Sequence, residues 1–194
     1  MSNSLKALVV TVLVCGTLLY SHNEKRKVDE LTVDRGFVLK TLPDFEAKIV
    51  GKDASLKASQ YVSANPGTMI HFWGTWCAPC ETEFPDLLEY ARKISNKNIK
   101  FVLVAMNDTE KKVRMFLKRF KDMPDNIEVV VKEDTSLMAR FGTFKVPETY
   151  LFDQNGTLLT KYVGPQNWLN NSYVRQIDRL VYGDQEKLKK IETH

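Results

Sequence analysis

Phe72-Trp73-Gly74-Thr75-Trp76-Cys77-Ala78-Pro79-Cys80 decides the reading of this chain: an apolar run that begins at Met69 passes into two cysteines separated by two residues. The run has the look of a buried strand, and the residues after Cys80 have helical spacing. The cysteine pair therefore belongs at the mouth of a helix. Two intervening residues let both sulfurs face each other across the first turn, so the pair can open and close with little backbone movement. The partial positive charge of a helix N-terminus favours thiolate there. Pro79 suits the first turn because the N–H it lacks has no intrahelical partner at that position.

A C-x-x-C can also be half of a zinc site or a structural staple. Zinc needs two further soft ligands. The only other cysteine is Cys15, inside an apolar N-terminal run, and the histidines are His22, His71 and His194. A second ligand pair is missing, so no metal and no cofactor are expected. Trp76 before the first cysteine, together with the passage from strand to helix, favours redox chemistry.

With 194 residues and 43% hydrophobic content the chain can bury one core of ordinary size, and no second globular domain is required. The net charge of +4 is gathered in short runs, such as Lys111-Lys112 with Arg114 and Lys118-Arg119 with Lys121. Val113, Phe116, Leu117 and Phe120 recur between them at helical spacing, which makes the bases the outer face of a packed helix. No aromatic residues interleave with a basic stripe, and nucleic acid is not an expected partner.

Ala7 to Tyr20 is nearly all apolar and follows a short tail containing Lys6. It is short for a spanning helix of about 20 residues and fits a signal-peptide core. Leu19 and Tyr20 stand where small residues are wanted for cleavage, so an uncleaved anchor is expected over residues 1–22. Val14 is too large for the residue before a lipidated cysteine, which leaves Cys15 a buried, inert thiol. Residues 23–35 are charged and poor in large apolar groups, as in a tether. Lys25, Arg26 and Lys27 follow the apolar run, a placement that by itself favours a cytoplasmic domain.

The globular domain is expected over residues 36–183, with a charged tail at 184–194. Lys48-Ile49-Val50 reads as a short strand, Gly51-Lys52-Asp53 as a turn, and Ser55 to Ser63 as one or two helical turns. A helix is expected from the cysteine pair to about Ile94, with Phe84, Leu87, Leu88 and Ala91 facing the core and a kink at Pro85. Ile99 to Ala105 is apolar enough for a strand covered on both faces. Then come a helix from Glu110 to Lys121, a strand from Ile127 to Val131, a helix from Ser136 to Phe141, and a strand from Thr149 to Phe152. Asp153-Gln154-Asn155-Gly156 forms a hairpin turn, Leu158 to Val163 returns antiparallel, and Trp168 to Tyr182 is the last helix. This order gives an α/β protein with a central mixed sheet and helices on both faces, the thioredoxin-like plan.

Several separated motifs coincide with one family. FWGTWCAPCETEFP, the earlier LPDF, the strand FVLVAMN, the segment VPETYLFDQNGTLL, and VGP before the final helix together resemble the membrane-anchored TlpA/ResA-like thiol-disulfide oxidoreductases. The likeness runs from about Gly36 to Tyr182. It implies that Cys77 is the exposed attacking sulfur and Cys80 the resolving one. It implies that Pro147 is the cis-proline facing the cysteines, that the backbone of Val146 pairs with a bound partner chain beside Trp76, and that Glu83 lies close to the pair and affects its proton balance. Two positions depart from the pattern. His71 stands where these proteins commonly carry asparagine and thioredoxins a buried aspartate, which makes it a candidate for proton handling. Glu148 replaces a small hydroxyl residue after the cis-proline.

The resemblance implies a thiol-disulfide oxidoreductase whose domain faces the extracytoplasmic side, against the charge asymmetry around the anchor. Its expected partners are a disulfide-containing protein substrate, a membrane-bound electron donor, and the membrane itself through the N-terminal segment. Ala78 and Pro79 are not basic, while Glu81, Glu83 and Glu148 are expected to bring negative charge near Cys77. Negative neighbours disfavour thiolate and point to a reductant of exported proteins, by analogy in cytochrome c maturation. The alternatives are a disulfide oxidase, a thiol peroxidase, or a copper chaperone using the same two thiols.

Overall fold

The structure, a computed structural model, describes residues 39–183. The expected anchor, tether and charged tail lie outside them. Among the described residues no helix is long and apolar enough to cross a membrane.

Strands β1 (Glu46–Ile49), β2 (Ser55–Lys57), β3 (Gly67–Trp73), β4 (Ile99–Met106), β5 (Ile127–Lys132), β6 (Glu148–Asp153) and β7 (Leu158–Val163) form one sheet in the order β2-β1-β5-β4-β3-β6-β7. The helices are α1 (Ala58–Ser63), α2 (Ala78–Lys93), α3 (Glu110–Leu117), α4 (Ser136–Phe141) and α5 (Asn171–Tyr182). β3 is parallel to β4 and antiparallel to β6, so the expected mixed sheet is present and β3 lies inside it. All seven residues of β3 are buried, because helices cover both faces.

Side chains alternate along a strand, and β3 divides the core accordingly. Met69 and Trp73 join Phe84, Leu87 and Ala91 of α2, Phe116 of α3 and Ile177 of α5. Ile70 and Phe72 join Val62 of α1, Phe141 of α4 and Tyr150 of β6 on the opposite face. His71 lies between Met69 and Trp73 in the alternation, so it points toward α2.

Local chemistry moves several boundaries from those the spacing predicts. Leu56 pairs with Ala47 across β1 and β2, so the stretch after Asp53 opens as strand before α1 begins at Ala58. α3 stops at Leu117, four residues short of Lys121. The chain then tightens through bonds from Arg119 N to Phe116 O and Phe120 N to Leu117 O, and Asp122 takes a positive φ. That turn still delivers the Phe120 ring to 4.9 Å from Phe84. Asn170 caps α5 by accepting from Ser172 N at 3.0 Å, which leaves Trp168 buried in the turn ahead of the helix. α2 runs from Ala78 to Lys93 with Pro85 inside it. In the hairpin, Asp153 Oδ1 accepts from Asn155 N and Thr157 N, and Gly156 supplies the left-handed φ of +75° that closes the turn.

Candidate active site

At the C-terminal end of β3 the chain crosses four residues and enters α2. Cys77 is the N-cap of that helix, and its Sγ accepts from Cys80 N at 3.3 Å. Cys77 and Cys80 are joined as a disulfide with Cα atoms 5.3 Å apart. The crossing is held from β4 and the loop after it. Thr75 N donates to Asp108 Oδ2 at 2.8 Å, and Trp76 Nε1 donates to Met106 O at 3.0 Å. The Trp76 indole lies so close over Gly74 that a Cβ there would meet its Cε2 and Nε1 at 2.6 Å. Only glycine lets the ring settle in that position.

A second segment closes on the disulfide from β6. The Val146–Pro147 peptide bond is cis, and Val146 O lies 3.8 Å from Cys77 Sγ. Gly164 N in turn donates to Pro147 O at 3.0 Å, which ties the loop after β7 to the same place. Trp76 is 56% exposed, and Phe144, two residues before Val146, is 93% exposed. Large apolar groups thus stand in water on both segments that meet at the disulfide, a pattern typical of contact surfaces.

Cys77 departs from its expected exposure. It is only 5% exposed and Cys80 is fully buried, because Cys77 caps the helix and Val146 closes over its sulfur. Two of the three acids expected to bear on Cys77 are engaged elsewhere. Glu81 pairs with Arg119. Glu148 shares the sheet face of Tyr150: its Oε2 accepts from Tyr150 Oη at 3.0 Å and lies 3.1 Å from Lys161 Nζ. One residue of strand phase separates the Glu148 side chain from the face that carries α2.

Glu83 is the acid that stays with the cysteine helix, one turn after Cys80, and it is buried. Its Oε2 accepts from Gln166 N at 2.8 Å and Trp168 Nε1 at 3.2 Å. Burial pushes its pKa up to about 7, against the lowering effect of those two donors, and nearby Asp86 adds to the rise. Its Oε1 lies 3.6 Å from His71 Nε2. His71 is fully buried, its Nδ1 is 2.8 Å from Thr149 Oγ1, and burial pushes its pKa down to about 3.

Thr149, Gln166, Trp168 and Asp108 were not legible as parts of this site. Gln166 and Trp168 meet Glu83 across more than eighty positions of sequence. Asp108 could be suspected only from its place just after an apolar strand, where it also accepts from Thr109 N at the start of α3.

Comparison with known proteins agrees with this geometry. The thiol-disulfide oxidoreductase ResA of Bacillus cereus is 26% identical over 159 residues, covering 81% of this chain and 86% of its own. A thiol:disulfide interchange protein from Bacteroides sp. superposes with a TM-score of 0.61 at 19% identity, over 76% of this chain and 92% of that one. A thiol:disulfide interchange protein of the thioredoxin family from Chlorobium tepidum TLS gives a TM-score of 0.56 at 21% identity, over 76% and 97%. The two superpositions establish a shared thioredoxin-like fold. The AhpC/TSA family matches residues 38–161, more than half of the chain.

Proposed function

This chain belongs to the AhpC/TSA family, and from that premise we propose that its Cys77–Cys80 pair reduces disulfides in other proteins. It is a thiol-disulfide oxidoreductase, similar to proteins named for that activity. The observation that carries the reading is the cysteine pair closed at the N-terminus of α2 beneath the Val146–Pro147 segment.

In the reduced enzyme, Cys77 attacks one sulfur of a partner disulfide. The Cys77–partner bond forms, and the other partner sulfur leaves as a thiolate. Cys80 then attacks Cys77 Sγ, which releases the second partner thiolate and closes the Cys77–Cys80 bond. The partner gains two electrons, and a dithiol donor must return them. Exposed Trp76 and the Val146 backbone form the contact surface for the partner chain, with Pro147 shaping the wall opposite Cys77.

The surroundings of the attacking sulfur support this direction. Among the described residues the polar contacts of Cys77 Sγ are Cys80 N and Val146 O, and the carbonyl is electron-rich. Ala78 and Pro79 bring no cation, and Glu83, three positions after Cys80, is a buried acid with a raised pKa. The Cys80 N–H and the helix N-terminus favour a thiolate, but with no cation beside it and a carbonyl oxygen against it the thiolate is less stabilised than in a strong oxidant, which supports a site that gives electrons away. We place the domain on the extracytoplasmic side, held by residues 1–22, with a membrane-bound donor resetting it and an apocytochrome c or its maturation factors among its substrates.

A Cys80→Ser variant expressed in cells tests this: it accumulates mixed disulfides through Cys77, and Cys77→Ser accumulates none. Adducts of equal abundance in both variants contradict the assignment.

A further inference from the structure

Glu83 and His71 leave one atom each without a hydrogen-bond partner, and those two atoms face each other. Among the described residues, Glu83 Oε1 and His71 Nε2 are both buried and unpartnered, 3.6 Å apart. The remaining bonds leave room for one proton between these two atoms. Both N–H donors to Glu83 go to Oε2, which leaves Oε1 free to carry a proton when the carboxyl is neutral. When Nδ1–H of His71 donates to Thr149 Oγ1, Nε2 is a bare lone pair aimed at Oε1.

We propose that His71 is a positioning residue for Glu83: it holds a single proton on Oε1, so that the two side chains form a neutral one-proton couple beside the resolving cysteine. Two opposite charges buried at this place require desolvating both, whereas the neutral arrangement desolvates neither and gives the two orphaned atoms a partner once they close from 3.6 Å. The raised pKa of Glu83 and the lowered pKa of His71, both caused by burial, run in the direction of that arrangement. The surrounding titratable groups are Cys80, Asp86 and Tyr90 on α2 and Tyr162 on β7. Tyr90 and Tyr162 pack on Trp168 and are raised by burial, so they stay neutral in the working range. Cys80 and Glu83 are three positions apart on one face of α2.

The couple gives the resolving step a proton acceptor. In the mixed disulfide the couple is one proton short, with Glu83 ionised and His71 neutral; the Cys80 thiol gives its proton to Glu83, which completes the couple, and attacks Cys77 Sγ. The Cys77–partner bond breaks with its electron pair on the partner sulfur, which takes a proton from water. When a dithiol donor reopens the Cys77–Cys80 bond, Glu83 returns the proton to Cys80.

This inference deepens the proposed function, and its test is read without turnover so that the two can fail separately. The oxidised full chain, labelled with ¹³C in glutamate carboxyls and ¹⁵N in histidine, is titrated by NMR. In the parent, Glu83 titrates near 7 and His71 stays a neutral Nδ1–H tautomer from about pH 5 to 8. His71→Asn lowers the Glu83 midpoint by about one pH unit, because the amide can donate to the carboxylate. Thr149→Val lowers it in the same direction, with the imidazole turning to its Nε2–H tautomer, and carries the test if His71→Asn does not fold. A Glu83 midpoint unchanged in the folded variants, or an imidazolium spectrum for His71 at pH 6, overturns the proposal. Loss of disulfide reduction by the parent overturns the function and leaves this titration standing.

Discussion

Asp108 accepts the backbone N–H of Thr75 at 2.8 Å, and through that bond the end of β4 holds the loop that presents Cys77. Its second oxygen accepts from Thr109 N at 2.9 Å, so one buried carboxylate fixes both the cysteine loop and the approach to α3. Asp108→Ala leaves two backbone donors without partners. A loss of about 1–3 kcal/mol is expected in urea unfolding, with faster alkylation of Cys77 in the reduced protein as the loop loosens. Unchanged stability and alkylation would mean that Trp76 alone holds the loop.

Gly74 bears the Trp76 indole directly. Gly74→Ala forces a Cβ to within 2.6 Å of ring atoms. The ring or the loop must move, at a cost of about 1–3 kcal/mol, and the Trp76 Nε1 bond to Met106 O is lost. Reduction of a protein disulfide should slow together with the loss of stability. A crystal structure of the variant with the indole unmoved would contradict the account of this glycine.

Glu83 and His71 predict an unusual stability profile. Glu83 has a folded pKa raised from 4.5 to about 7, so its contribution to stability is complete below 4.5 and is lost as pH rises through 7. The loss is at most about 3 kcal/mol. His71 has the opposite sign: lowered from 6.5 to about 3, its contribution is complete above 6.5 and is lost as pH falls toward 3. Between 4.5 and 6.5 the two slopes oppose each other. Glu83→Gln removes one of them and resembles the protonated acid, so it should be more stable than the parent by about 1–3 kcal/mol at pH 8. That advantage should vanish near pH 4.5. Parallel stability curves for the two proteins would show that Glu83 ionises in the folded state as freely as in the unfolded one.

The cysteine pair, its strand and its helix are legible in the sequence because their signals are local. An apolar run, a two-residue spacing and a first-turn proline lie within a dozen positions. Trp168 shows the limit of periodicity: it continues the helical pattern of α5 backwards, but the Asn170 cap starts the helix later and turns the indole onto Glu83. Glu148 shows a different limit. Its place after Pro147 suggested nearness to Cys77, whereas strand alternation sends it to the Tyr150 side, and Lys161, thirteen residues on, meets it there. The pairing of His71 with Glu83 joins a strand to a helix across a packed layer, and no one-dimensional pattern encodes such a meeting.

The central claim is that the Cys77–Cys80 pair gives electrons to partner disulfides, and its reduction potential tests that most directly. The oxidised protein is equilibrated at pH 7 against a series of reduced and oxidised dithiothreitol mixtures, and the thiols are counted by alkylation and mass spectrometry. A site without a cation at Cys77 and with Glu83 beside the pair predicts a potential at or below about −220 mV, in the range of reducing thioredoxin-like proteins. A value near about −120 mV, as for a strong disulfide oxidant, would contradict it.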